Sequence, residues 1–539
     1  MTVGFPQHSL PLPPMRWDGW GSPEAATELS EPIRALLAQV LGVTGDPIPA
    51  PAATEIELSP VRLTDADLDA LRGIVAAVST ADGDRLTRSG GKSTLDLLRR
   101  KNRTQDAPDC VVEPATEQEI SDLLQWCADS RIAVVPFGGG TGVVGGVDPE
   151  AGEMRAVISL DLRRFDQLLS IDTISGEAVL GAGVTGPEAE KLLAAHGFSL
   201  GHYPQSFQFA TIGGFAATRS SGQASAGYGR FDDMVTGLRV VTPTGILALG
   251  GAPKTAAGPD LRQMFLGSEG TLGVITSVSL RVHRIAPVTL YDAWHFADFD
   301  SGAAALRAVA QSGGGPTVMR LSDEAETGVN LTSPDKIGAD TETVSGGCLA
   351  ITTFEGTEAV ARARKELTGA LLAAAGGTSL GDGRAQAWEH GRFNAPYLRD
   401  ALLTIGVGCE TLETATTWSN LASLKATVTN SLTESIGRSG SPALVLCHIS
   451  HTYPTGASLY FTVAYRCGDD PIAEWNGVKT TVSQAIVDSG GTITHHHAVG
   501  SDHRPWLSDE IGDVGAQVLR AVKSALDPTG ILNPGKLIP

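Results

Sequence analysis

Three consecutive histidines, His495, His496 and His497, stand in the stretch GGTITHHHAVGSDHRPW (490–506). An unperturbed imidazole titrates near neutral pH, so such a run suits a proton relay, a metal clamp or the wall of a polar pocket. On a strand, side chains alternate between faces, so His495 and His497 would share one face and His496 would take the other. Two imidazoles on one face would hold zinc only with help, and His503, His451 and Glu410 are the residues that could complete such a site. Histidines satisfied by core hydrogen bonds are the plainest alternative.

A second segment invites chemistry of another kind. VVPFGGGTGVVGGV (134–147) runs from a β-branched strand into clustered glycines. Without Cβ atoms, successive N–H groups can converge on an anion such as a pyrophosphate. The dinucleotide pattern GxGxxG before a helix fits poorly, since more glycine and valine follow. Three further glycine-rich segments recur: YPQSFQFATIGGFAATRSSGQASAGYG (203–229), FLGSEGTLGVIT (265–276) and LDPTGILNPGKL (526–537). Glycines that merely serve turns are the competing account.

The chain that must position these groups has 539 residues, too many for one core, and should divide into several domains. Its net charge of −20 argues against nucleic acid as a partner, and any anionic ligand must be held by local groups working against the overall field. Six scattered cysteines without a CxxC pair suggest neither a disulfide framework nor a zinc knuckle, and a reducing, cytoplasmic setting is expected. The opening MTVGFPQHSLPLPP lacks the features of a secretory signal, no apolar run is long enough to span a bilayer, and KLIP is not a peroxisomal signal. Residues 1–105 read as an N-terminal helical region. In it EPIRALLAQVLGV has helical spacing, and TDADLDALRGIVAAV opens on a capping residue, Thr64. Residues 106–286 alternate short β-rich runs with helices and glycine clusters, and CVVEPATEQEISDLLQWCADSRIAVVPF reads as strand, helix, strand. Residues 287–489 form an α+β region, and 490–539 carry the histidines and a helix around VGAQVLRAVKSAL.

In this order and spacing, the glycine-rich segments resemble the flavin domain of the vanillyl-alcohol oxidase / PCMH superfamily. The resemblance implies an α+β fold: a two-lobed PCMH-type FAD-binding domain over 106–286, an α+β cap over 287–489, and a segment 490–539 that returns to the FAD site. It implies that FAD is held by Pro136, Phe137, Gly138, Gly139, Gly140, Thr141 and Gly142. Further FAD contacts are expected from Pro204, Gln205, Ser206, Phe207, Gln208, Phe209, Ala210, Thr211, Gly213, Gly214, Ala217, Thr218, Arg219 and Ser220. Glu269, Gly270, Thr271, Leu272, Gly273, Val274 and Ile275 complete the set. No histidine lies in 136–147 or 204–220, so the FAD is expected to be non-covalent.

MRWDGWG (15–21), VMRLSD (318–323), NAPYLRDALLTIGVGCETLETATTWSNL (394–421), CHISHTYPTGASLYFTVAY (447–465) and HHHAVG extend the likeness along nearly the whole chain. Together they are similar to the alkyldihydroxyacetonephosphate synthase family. That family exchanges the acyl chain of acyl-dihydroxyacetonephosphate for a fatty alcohol, with flavin N5 holding the substrate carbon in between. The resemblance makes Tyr460 the acid/base, Arg399 and Arg320 the substrate arginines, and His495, His496 and His497 active-site groups, with no metal. Without it, Arg399 could pair with Asp400 and Arg320 with Asp323, and Tyr460 could be a core aromatic. Ala498 replaces the glycine usual after the histidines, and Ser501 stands where a lysine is usual. Lipid substrates, a homodimer and contact with a membrane periphery are the expected partnerships. The rival reading is an FAD-dependent 2-hydroxyacid (D-lactate-type) dehydrogenase.

Overall fold

The computed structural model describes residues 15–329 and 346–539. The segment read as lacking a secretory signal, 1–14, lies outside the described residues.

Two sheets make the FAD lobes. In the first, the strands run in the order Ala77–Ser79, Cys110–Glu113, Ala156–Asp161, Ile132–Phe137, with the last three mutually parallel. Ala156–Asp161 is buried throughout and Ile132–Phe137 is buried but for Pro136, as a sheet covered on both faces requires. The strand–helix–strand reading of 110–137 is what forms, the helix being Glu117–Ser130 with Thr116 as its cap. The helix opened by Thr64 also forms, with a capping box to Asp67, but it stops at Ile74. The residues AVS that follow leave it to pair with Val111–Glu113 as an edge strand. There the β-branched Val78 sits opposite Val112, a pairing that outweighs the helical spacing.

The second lobe is an antiparallel five-stranded sheet, Gly245–Leu249, Val235–Thr242, Val274–Arg281, Glu177–Gly181, Leu168–Asp172. A buried carboxylate joins the lobes. Glu117 of the first receives Arg239 through two bonds of 2.8 and 2.5 Å and the Thr276 hydroxyl at 2.6 Å, both from the second.

The cap is one seven-stranded antiparallel sheet, in the order Thr378–Gly381, Val288–Phe296, Cys348–Gly356, Val318–Ser322, Ala443–Thr452, Gly456–Arg466, Val407–Thr417. The helices Phe299–Gln311, Leu421–Gly437 and Pro471–Asp488 cover one face with an apolar core around Leu306, Leu424, Val428 and Trp475. The other face looks toward the FAD lobes and walls the cavity.

Candidate active site

A cavity of about 430 Å³ lies between the cap sheet and the FAD lobes. Its cap wall follows from strand periodicity, because alternate residues share a face. Cross-strand register sets these residues in three rows. The first is Glu413, Tyr460 and His448, the second Thr411, Thr462 and Leu446, the third Cys409, Ala464 and Leu444. Polarity falls from row to row. Successive rows are two residues apart, so the first and third are separated by ~13 Å. Beyond the third row the cavity continues along Ile33, Leu36 and Leu37 of the helix Glu31–Leu41 and Leu398 and Leu402 of the helix Ala395–Thr404.

The histidines do not form a strand. They occupy an irregular loop, so the alternation expected for them does not apply. What shapes the loop is Glu413, which accepts the backbone N–H of His495 at 2.6 Å, His496 at 3.1 Å and His497 at 2.9 Å, and the Thr494 hydroxyl at 2.6 Å. Three successive amides converging on one carboxylate cannot also pair with a neighbouring strand. Burial works to raise the pKa of Glu413, but the neighbouring imidazoles of His496, His497 and His495, and then the hydroxyl of Thr494, hold it well below the usual carboxylate range.

Burial also keeps the imidazoles neutral. His495 is pushed down to about 4, first by burial and then by the Arg230 guanidinium, and His496 and His497 are lowered by burial despite Glu413 nearby. The expected titration of these histidines near neutral pH is therefore corrected.

The ring of Tyr460 faces the cavity, with His448 stacked at 5.0 Å and His496 at 5.8 Å, and His497 edge-on at 5.7 Å. Burial pushes its phenol up to about 12; Glu410 and Glu413 add to this, and Thr411 and Arg399 oppose it. An imidazolium that would lower it is not at hand.

His496 and His497 line the cavity, but His495 turns toward Tyr453, whose hydroxyl shares a 2.6 Å hydrogen bond with its Nε2. His451, His495 and His496 each offer a ring nitrogen, all within 4.8 Å of one another, and His451 Nε2 is buried without a partner among the described residues. Of the other residues weighed as metal ligands, His503 bonds the Ala498 carbonyl, and Glu410 accepts the amides of Thr94 and Thr411.

Arg399 and Arg320, the two arginines expected to meet substrate, both reach the cavity, but neither is free. Arg399 gives Nε and Nη2 to Asp400 at 3.0 and 2.8 Å and Nη1 to the Lys92 carbonyl at 2.6 Å. Arg320 pairs not with Asp323 but with the buried Glu326 and, at 3.1 Å, with His448 Nδ1. Asp323 is taken by Lys425.

On the FAD side, Pro136–Gly142, Pro204, Gln205, Ser206, Ala210, Thr211, Gly213, Gly214, Ala217, Thr218, Ser220, Glu269, Gly270, Gly273 and Ile275 line the cavity. Phe207, Gln208, Phe209, Arg219, Thr271, Leu272 and Val274, also expected to touch FAD, do not line it, and Gln208 is exposed to solvent. Arg219 instead bonds the carbonyls of Leu266 and Gln263. The two glycine segments touch: a Cβ on Gly139 would lie 2.1 Å from the Phe209 carbonyl, so only glycine allows this approach. Glu269 accepts the amides of Val499 at 2.9 Å and Gly500 at 2.8 Å, which ties the 265–276 turn to the histidine loop; burial raises it to about 7. Gln205 Nε2, Ser221 Oγ and Gln223 Oε1 are buried cavity atoms with no partner among the described residues. Such a glycine-walled cradle with unspent polar atoms fits a flavin dinucleotide.

Sequence reasoning missed Glu413, His448, Arg392 and the apolar limb. Counting by twos from Tyr460 and His448 along their strands would have given Thr462, Ala464, Leu446 and Leu444. Nothing local marks the helix Glu31–Leu41 as part of the site.

The FAD binding domain family model matches residues 108–250, and the model of the C-terminal domain of FAD linked oxidases matches 286–537. Fold and cavity thus define an FAD-binding protein of the FAD-linked oxidase type. An alkyldihydroxyacetonephosphate synthase from Dictyostelium discoideum is 31% identical over 97% of this chain and 93% of its own. The one from Trypanosoma brucei brucei is 33% identical over 97% and 92%. A solved alkyldihydroxyacetonephosphate synthase superposes with a TM-score of 0.82 at 29% identity, covering 97% of this chain and 99% of that one. The chain belongs to the alkyldihydroxyacetonephosphate synthase family.

Proposed function

We propose that the protein exchanges the acyl group of acyl-dihydroxyacetonephosphate for a fatty alcohol, releasing the fatty acid and forming the ether. The observation that carries this reading is the polarity gradient of the cavity. An acid/base row sits at one end, and an apolar limb long enough for part of an alkyl chain sits at the other.

The exchange needs no net electron transfer. A C–O bond to the carboxylate breaks and a C–O bond to the alcohol forms. The C1 proton and the alcohol proton must be handled on the way. FAD, when bound, supplies a ring nitrogen able to hold the substrate carbon between the two C–O bonds. The side chains divide the proton work by their charge states. The protonated phenol of Tyr460 donates a hydrogen bond to the leaving carboxylate. His496 and His497, neutral and on the cavity wall, take the C1 proton and return it once the ether bond has formed, and pass the proton of the alcohol to the departing fatty acid. His495 orients the loop from behind through Tyr453.

Incubation of the flavin-loaded protein with palmitoyl-dihydroxyacetonephosphate and labelled hexadecanol is expected to yield labelled ether with the flavin still oxidised. Bleaching by D-lactate with reduction of a dye, and no ether, would establish the dehydrogenase instead. The same reading includes a homodimer in a cytoplasmic setting, drawing its lipids from a membrane surface. Sedimentation and vesicle flotation measure the assembly and the membrane contact. Among the described residues no helix is long and apolar enough to cross a membrane.

A further inference from the structure

A phosphate-bearing substrate in a chain of net charge −20 needs a cation whose charge is not already met. Arg399 spends all three nitrogens on Asp400 and a carbonyl. Arg320 keeps a buried Nε without a partner among the described residues, but its charge is met by the fully buried carboxylate of Glu326. The third arginine on the cavity wall is Arg392, between the cap helices Gly383–Gly391 and Ala395–Thr404.

Arg392 is built differently. Its guanidinium lies 4.7 Å from the ring centre of Tyr203, 5.0 Å from that of Phe393 and 5.8 Å from that of Trp388. The rings fix the plane of the fork while leaving its N–H edge unspent. No hydrogen bond from this guanidinium is made among the described residues, and its Nε is buried without an acceptor. The nearest carboxylate oxygen, on Glu389, is 3.9 Å away, and Glu389 also receives the Tyr291 hydroxyl. The side chain is only 12% exposed. A desolvated, caged arginine that faces a cavity and meets only one carboxylate, at 3.9 Å and without a hydrogen bond among the described residues, is costly unless an anion completes it.

We propose that Arg392, rather than Arg399, holds the phosphate of the substrate through its fork. This rests on the function proposed above. Tyr203 directly precedes the Pro204–Ser206 segment of the FAD wall, so the phosphate would sit where cap and flavin lobe meet.

The test uses the flavin-loaded protein and the variants Arg392→Lys, which keeps charge but not the fork, and Arg392→Leu, which keeps packing. FAD content, KM for palmitoyl-dihydroxyacetonephosphate, KM for hexadecanol, and calorimetric binding of dihydroxyacetone phosphate against phosphate-free dihydroxyacetone are measured. The expected result is a rise of tenfold or more in KM for the phosphate substrate in both variants. Calorimetric binding of dihydroxyacetone phosphate should be lost as well, with FAD content and the alcohol KM unchanged. A loss of FAD in step with activity would place the cofactor, not the substrate, on Arg392 and overturn the proposal. So would variants of normal KM in a protein that makes ether. If the wild type makes no ether but binds dihydroxyacetone phosphate through Arg392, the phosphate site stands and the proposed reaction falls. If it binds none, both fall.

Discussion

Tyr460 carries its proton because nothing near it is positively charged enough to remove it: burial and two glutamates raise its pKa, and the histidines around it are neutral. Its hydroxyl is therefore a donor at working pH. Replacing Tyr460 by Phe should leave FAD content and fold intact and lower ether formation by about a hundredfold, the usual scale for lost acid–base help. Unchanged turnover would remove Tyr460 from the reaction. The next loop shows how a residue substitution meets the backbone. Ala498 stands at φ 75, a left-handed conformation that costs a residue with a Cβ ~1–2 kcal/mol. This accounts for glycine at that place in the family pattern. Ala498→Gly should raise the unfolding free energy by up to about that amount, less the extra freedom glycine has when unfolded, measured by denaturant titration.

At the scale of elements, the histidine loop is held by one carboxylate from a strand about eighty residues earlier in the chain. Glu413→Gln keeps the shape but sets an amide among amide donors. The expected outcome is faster hydrogen exchange at the amides of 495–497 and a fall in turnover with FAD retained. Protection equal to wild type would show that the loop is held elsewhere. Such a tie was not legible in sequence, where nothing in GCETLETATT sets Glu413 apart. The three-histidine motif, by contrast, was plain to see, although its conformation was not. Period-two patterning names a face only when partners are available, and these amides already had one. The glycine segments were legible because close backbone approach admits no other residue. Arg399 and Arg320 were singled out through the family likeness; Arg399 takes its chain neighbour Asp400, a pairing that adjacency alone suggests, whereas Arg320 takes Glu326 in place of Asp323, a choice that spacing does not encode. The helix Glu31–Leu41 was foreseen as a helix, but its apolar face gave no hint that it would line the cavity.

At the scale of the molecule, several histidines are buried neutral. His202 is pushed down to about 3, His495 and His503 to about 4, each chiefly by burial. In the unfolded chain they titrate near 6.5, so below that pH unfolding takes up protons that the folded state refuses. Their stabilising contribution is complete above about pH 6.5 and is lost as pH falls toward 4. Glu269 and Asp148, raised to about 7, act in the opposite sense by binding protons in the folded state between about 4.5 and 7, but they are fewer. Denaturant titrations should show stability falling from pH 7 to pH 5, and a rise over that range would contradict the burial of these imidazoles. Acid precipitation, which unfolds the chain, should release all yellow colour into the supernatant, whereas colour left in the pellet would reveal a covalent flavin.

The FAD lobe also holds a lesson about timing. Val134, in the strand that feeds the glycine loop, donates to the Ile531 carbonyl and accepts from Asn533, whose side chain in turn bonds the carbonyls of Gly146 and Glu269. Lys536, fully buried, reaches Glu150 from the same segment. Asn533 and Gly146 are 387 positions apart. A ribosome releases the glycine loop long before it releases the residues that brace it. The nascent lobe must therefore wait, without its last brace, while the whole cap is translated. Flavin loading becomes an event of the finished polypeptide, and cells starved of riboflavin during synthesis should still yield chains that turn yellow when FAD is added afterwards.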